Sequence, residues 1–409
     1  MSLRHNQIYS RHITFSFINI LKTPILVYST VYFFLSVGDA VMSYVSPIFI
    51  DRILNNSFLM GLVISASSAM GLLCDLLFPK IFRHQKFTLL FFFSIVLAFL
   101  FPLILIASDG KIWVLVLAMF IWGIYYELIS FSHSAFIEHS YDYDKHSYCW
   151  GTISSFKSLA YLIGPILATL LISQSLNRAL FLPIFFYLAS IFGFIFLSRL
   201  PHRPSLRVPT SFTTGQLKEW LTLIPKVWPV YVFLFLISLL DSAFWTVGTL
   251  LSEQSATTSF LGRLILPAYC LPGLFFGILV TNYAKPTGKK KVSFITGAFA
   301  SLLLILFAFT ENPLFLVLIT FASSAFLSVS FPEISAVFED YVSRLGKTGD
   351  IMVGIKSSAV SASYIIGPIV AGGLASLVGN RLTFPILGLF IGVYSLGAYF
   401  LVPRKLHLN

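Results

Sequence analysis

The chain has 409 residues, 57% of them hydrophobic and 11% charged, with a mean hydropathy of +0.88. Soluble domains carry roughly 25% charged residues, so an ordinary water-facing surface is excluded and most of the chain must meet lipid. The net charge of +11 does not point to nucleic acid, because the basic residues sit in short connections between apolar runs rather than in a patch or stripe.

In chain order, Arg4, Arg11 and Lys22 precede an apolar run over 24–50. That run is too long for the core of a signal peptide and lacks a small-residue cleavage site, so it is read as a first membrane span. Further spans are expected at 57–78, 88–108, 112–137, 149–173 and 177–198. After a polar stretch come 228–251, 260–283, 292–310, 313–338, 350–376 and 382–402. Each is near the roughly 20 residues that a helix needs to cross a hydrocarbon core. Cys74, Cys149 and Cys270 fall in or beside these runs and are read as packing, not as a disulfide framework or a metal cluster. Asn55-Asn56-Ser57 is a lone match to a glycosylation sequon.

Of the 27 lysines and arginines, 20 lie in the termini and in the connections after the even-numbered spans. Arg52, Lys111, Arg178, Arg263 and Arg381 lie in the opposite connections, while Lys157 and Lys356 are inside spans. Positive residues stay on the cytoplasmic side, which puts both termini inside and supports an even count of twelve. The long polar connection from Arg199 to Lys226 separates six spans from six, and a short amphipathic helix around Gln216 to Leu223 is expected on the inner surface.

The two sixes are one unit repeated. Span 5 from Gly151 and span 11 from Gly354 align without gaps and share Gly151/Gly354, Ser154/Ser357, Ser158/Ser361, Tyr161/Tyr364, Gly164/Gly367 and Pro165/Pro368. Ser134–Glu138 corresponds to Ser335–Glu339, and spans 1 and 7 pair Ser36 with Ser238 and Asp39 with Asp241. Hydrophobicity alone would not match glycine, proline and tyrosine positions. Parallel six-span repeats with a site between them at mid-membrane are the arrangement of an alternating-access carrier.

With these features the chain resembles the major facilitator superfamily over essentially its whole length. The family's signature between spans 2 and 3 is present as Gly71, Asp75, Lys80 and Arg83, although Leu76, Phe78 and Pro79 replace its usual arginine, glycine and arginine. A second signature, typical of drug:proton antiporter-like members, appears in span 5 as Ala160, Gly164 and Pro165 without its glycine pair. Span 11 keeps the pair, with Gly367, Pro368, Gly372 and Gly373. The resemblance implies an all-α membrane fold of twelve helices in two pseudo-symmetric six-helix bundles, 1–198 and 228–409, joined by a cytoplasmic linker, 199–227. It also implies a central cavity lined by spans 1, 4, 7 and 10, and a gating or stabilising role for Gly71, Asp75, Arg83, Gly164, Pro165, Gly367 and Pro368.

Four of the 16 carboxylates fall within spans: Asp39, Glu127, Asp241 and, less deeply, Glu333. They lie on the four spans that the resemblance assigns to the cavity. A charge at the bilayer centre costs at least ~2.5–3.5 kcal/mol, so each must face the interior, find a partner or bind a proton. Burial disfavours an ionised carboxylate and a bound cation favours it, so one acid can exchange a proton for a cationic substrate. The alternative is that Asp39 and Asp241 bond serines such as Ser36 and Ser238 and fix helix packing. Trp122, Tyr126, Ser130 and Trp245 are candidate substrate-lining residues, since aromatic faces beside a carboxylate attract a lipophilic cation; membrane proteins also use aromatics widely for lipid-facing packing. Lys157 and Lys356 are expected to snorkel to the inner surface or to pair with Glu138, Glu333 or Glu339. His133 is either a proton relay or a hydrogen-bonded packing residue.

No phosphate-binding glycine loop, catalytic triad or metal-ligand cluster is visible, so an enzyme is not expected, nor a cofactor or a metal. The expectation is a monomeric, multi-pass carrier in a plasma (bacterial inner) membrane, handling a small molecule and protons. Proton-coupled export of an amphipathic or cationic compound is the leading reading. A proton-coupled importer of a nutrient or metabolite, a lipid transporter and a non-transporting scaffold are the alternatives, since fold does not fix function.

Overall fold

A computed structural model describes residues 23–81, 86–141, 146–172, 175–198, 214–283, 288–345 and 349–402. The first six α-helices are α1 (Pro24–Leu54), α2 (Ser57–Ile81), α3 (Phe87–Ile106), α4 (Ile112–Ser140), α5 (His146–Ile172) and α6 (Leu176–Leu197). The second six are α7 (Thr214–Ala256), α8 (Ile265–Tyr283), α9 (Lys289–Leu303), α10 (Pro313–Leu345), α11 (Gly349–Val378) and α12 (Asn380–Leu401). Short 3-10 segments, Phe260–Leu264 and Leu304–Phe309, lead into α8 and out of α9. Each helix falls on one of the twelve expected spans.

Local chemistry sets the boundaries. Pro24 opens α1, where a missing N–H costs nothing because the first-turn donors have no intrahelical partner. Asn55 ends α1 in the left-handed conformation, at φ 47°. Asn56 then starts α2 by accepting hydrogen bonds from the Phe58 and Leu59 N–H groups at 3.0 and 3.1 Å. The two asparagines of the sequon match thus build one tight helix–helix turn. Gly379, at φ 87°, makes the equally short turn between α11 and α12, in a backbone conformation that suits glycine.

Among the described residues eleven helices are long and apolar enough to cross a membrane, which makes this a multi-pass membrane protein. α8 is the remaining one. Its 19 residues span roughly 28 Å at 1.5 Å per residue, but the apolar stretch among the described residues, Phe260–Phe275, is shorter. Arg263 lies in the 3-10 turn of residues 260–264 that leads into α8. The polar connection also differs from expectation. Residues from Thr214 onward belong to a single 43-residue helix that runs through Pro225 and Pro229 into the apolar part of α7, so no separate amphipathic helix stands there.

The packing follows the repeat. α1 lies against α5 and α6, and α7 against α11 and α12. The first six helices meet the last six chiefly through α2 with α11, α5 with α8, and α1 with α7. Phe185, Phe192 and Phe196 on α6 and Phe390, Phe400 and Leu401 on α12 are exposed, an outer surface suited to lipid tails.

Candidate functional site

Between the helices lies a cavity of about 610 Å³, within the size range of small-molecule sites. Its walls come from α1, α2, α4 and α5 and from their repeat equivalents α7, α8, α10 and α11. The expectation of spans 1, 4, 7 and 10 alone was therefore too narrow. α5 and α11 add to the polar wall, with Lys157, Ser158 and Tyr161 from the first and Ser361 and Tyr364 from the second.

The two aspartates are built into matching settings. Asp39, buried on α1, accepts hydrogen bonds from Tyr126 of α4 at 3.0 Å and from Tyr161 of α5 at 2.6 Å, one on each oxygen. Asp241 on α7 likewise accepts one hydrogen bond on each oxygen, from Tyr269 of α8 and Tyr364 of α11. The partners are phenols, not the serines Ser36 and Ser238. Tyr161 and Tyr364 are repeat equivalents, so the duplicated unit carries an Asp–Tyr pair. The second phenol breaks the symmetry, coming from α4 in one half and from α8 in the other.

Three residues after each tyrosine stands a glycine that allows the contact. A Cβ at Gly164 would overlap Ala40, the residue after Asp39. A Cβ at Gly367 would overlap Ser242, the residue after Asp241. Small residues let membrane helices approach closely, and here that approach brings a phenol to each carboxylate. Pro165 and Pro368 lie inside α5 and α11, one residue further on.

The other expected site residues distribute unevenly. Trp122, Tyr126, Glu127, Trp245, Gly71 and Pro368 line the cavity, whereas Ser130, Glu333 and Asp75 do not. Asp39 also stands outside the wall, behind its two phenols. Glu333 is buried on α10, where Lys289 and Asp340 act on it electrostatically, away from the cavity. Ser130 is exposed elsewhere on α4. Glu127 sits against the backbone of Gly71, where a Cβ would meet its Oε1 at 3.1 Å, and faces the Asp75 carboxyl. Arg83 and the side chains of Lys80 and Glu138 lie outside the described residues.

Lys157 is exposed and pairs with no glutamate among the described residues. Its ammonium lies over the Tyr161 ring, 5.3 Å from the centroid, and is exposed to the cavity. Lys356 pairs with Glu339 at 3.3 Å. His133 is buried and bonded through Nδ1 to the Tyr28 hydroxyl at 2.7 Å, with Tyr32 edge-on, a packing arrangement outside the cavity.

One end of the assembly is tied across the two sets of helices. Arg52 of α1 pairs with Glu253 of α7, and the Tyr44 hydroxyl donates to Ser252 at 2.9 Å. There α2 and α11 touch backbone to backbone: a Cβ at Gly61 would overlap the Pro368 carbonyl, and one at Gly372 the Ser57 carbonyl. Among the described residues no group of histidine, cysteine and acidic side chains could hold a metal ion.

Helices of this number, arrangement and central cavity define a polytopic membrane fold shared with known transporters. The structure is similar to that of the nucleoside transporter NupG, with a TM-score of 0.74 and 14% identity, over 93% of this chain and 100% of that one. It is similar to a POT family transporter in complex with 5-aminolevulinic acid, with a TM-score of 0.73 and 10% identity over 91% and 94% of the two chains. The human organic anion transporter MFSD10 (TETRAN) gives 0.63 and 16% over 92% and 99%. At these identities the likeness establishes the fold alone. In sequence, the Major Facilitator Superfamily profile matches residues 230–409, the second repeat. No curated protein matches the chain in sequence.

Proposed function

We propose that the protein is a monomeric secondary active transporter in which two six-helix bundles, 1–198 and 228–409, rock about the central cavity. Proton movement would drive export of a small amphipathic compound, as in the drug:proton antiporter-like members of the superfamily. The observation that carries this reading is the repeated Asp–Tyr unit, Asp39 with Tyr161 and Asp241 with Tyr364, set across one cavity that both repeats line. A carboxylate held by phenols in a membrane is poised between charged and neutral states, and a change of state at either one biases how its bundle packs. Basic residues concentrated in the even-numbered connections put both termini in the cytoplasm. On that orientation the end tied by Arg52–Glu253 faces outward and the cavity is reached from inside. The fold and orientation fit a plasma membrane of bacterial inner type. The cavity wall carries both signs of charge, Lys157 beside Glu127 and Asp241, so a cationic compound remains part of the proposal.

The same wall, with Ser67, Ser158, Ser328 and Ser361 among its residues, also favours a second reading, a proton-coupled importer of a polar nutrient or metabolite. Reconstitution in liposomes with an internal pH dye separates these readings from a scaffold. Addition of a panel of drugs, cations and metabolites is expected to produce solute-dependent proton flux, and its direction distinguishes exchange from co-transport. Absence of flux with every compound would count against transport of this kind.

A further inference from the structure

Among the described residues three charged side chains line the cavity: Glu127, Lys157 and Asp241. Glu127 is occupied by the Asp75 carboxyl and Asp241 by two phenols. Lys157 makes no salt bridge among the described residues, although its charge acts on Asp39 and Asp241, whereas Arg52, Lys289, Lys356 and Arg381 each pair directly with an acid. Its repeat position holds Val360, so no second lysine balances it from α11. The ammonium lies 5.3 Å from the centroid of Tyr161, and Trp245 of α7 meets the same ring edge-on at 5.2 Å. A cation and a half-buried indole therefore flank one phenol, and they come from different halves of the repeat.

We propose that Lys157, together with Trp245 and Tyr161, forms a subsite for the acidic group of a substrate that carries a carboxylate beside a flat aromatic body. A carboxylate entering the cavity takes the Lys157 ammonium by a charge-assisted hydrogen bond, which is roughly twice as strong as a neutral one. The aromatic body packs on the indole and phenol faces, a contact worth about 0.5–1.5 kcal/mol beyond area burial. Because Trp245 and Lys157 belong to different repeats, a solute held by both bridges the two halves. This inference deepens the transport reading by naming a substrate class, yet it concerns binding and is tested without transport.

The test uses the full chain in nanodiscs and three 3-substituted indoles with anionic, zwitterionic and cationic side chains: indole-3-acetate, tryptophan and tryptamine, at millimolar concentration. Thermal unfolding is followed for the native chain, Lys157→Gln and Lys157→Arg. The anion and the zwitterion are expected to raise the unfolding temperature of the native chain and of Lys157→Arg. In Lys157→Gln their apparent affinity is expected to fall about tenfold, equivalent to ~1.4 kcal/mol. Lys157→Arg guards against misfolding, and tryptamine is expected to shift none of the three. Stabilisation by tryptamine alone, equal responses in native chain and Lys157→Gln, or no response to any indole would each overturn the proposal. Binding with this pattern but no proton flux in liposomes would leave the subsite standing and reject the transport reading instead.

Discussion

Each intramembrane aspartate is met by two phenols, and the geometry assigns the tyrosines, not only the acids, to the site. A hydrogen bond to a charged group contributes about 1.5–3 kcal/mol, so Tyr364→Phe is expected to lower stability by about that amount and to slow transport while leaving Asp241 in place. Thermal unfolding beside a flux assay checks both effects. The glycines next to the tyrosines make a sharper prediction. Gly164→Ala and Gly367→Ala introduce a Cβ where Ala40 and Ser242 stand, a form of overpacking that costs about 1–3 kcal/mol. Gly151→Ala has nothing within 4 Å to meet, and the better helix propensity of alanine, about 1 kcal/mol, makes it neutral or stabilising. Thermal midpoints of the three variants should separate accordingly. At this scale the sequence was partly legible. Asp39, Asp241, Tyr161, Tyr364, Gly164 and Gly367 all stand out as repeat matches, but repetition cannot say which phenol touches which acid. Tyr269 carries no such mark, since the repeat supplies its counterpart from α4 as Tyr126. That Lys157 lines the cavity is not legible from its distance to the end of α5, because that distance does not say which face of the helix meets the cavity.

At the scale of the helices, the contact of α2 with α11 is the tightest tie between the repeats at the Arg52–Glu253 end, where Gly61 and Gly372 bring backbones together. Rocking must separate these helices. Cysteines at positions 52 and 253, in a background without Cys74, Cys149 and Cys270, bridged by a short bifunctional thiol reagent, are expected to arrest transport. A reductant that cleaves the bridge should restore it, and undiminished transport in the bridged protein would show that this end does not open. Helix existence was readable from apolar run length, because lipid demands about 20 apolar residues per crossing. What run length hides is the interruption at Arg263, where a 3-10 turn precedes α8, and the continuity of α7 back to Thr214. Proline at 225 and 229 reads as a linker, yet neighbouring groups can re-satisfy the backbone donors and acceptors that a proline frees in a membrane helix.

For the whole molecule, duplication explains why, among the described residues, eight helices line the cavity while the repeat-related pairs α3 and α9, and α6 and α12, contribute no wall residue. The sequence showed the duplication but not this division, which depends on which faces of the helices meet. The account turns on Asp39 and Asp241 as the link between proton movement and solute movement. The most direct test reconstitutes the native chain and Asp39→Asn/Asp241→Asn in liposomes, and follows both proton flux and solute exchange without an imposed gradient. The account predicts that the variant still exchanges solute across the membrane but loses solute-dependent proton flux. Equal proton flux in the two proteins would contradict it.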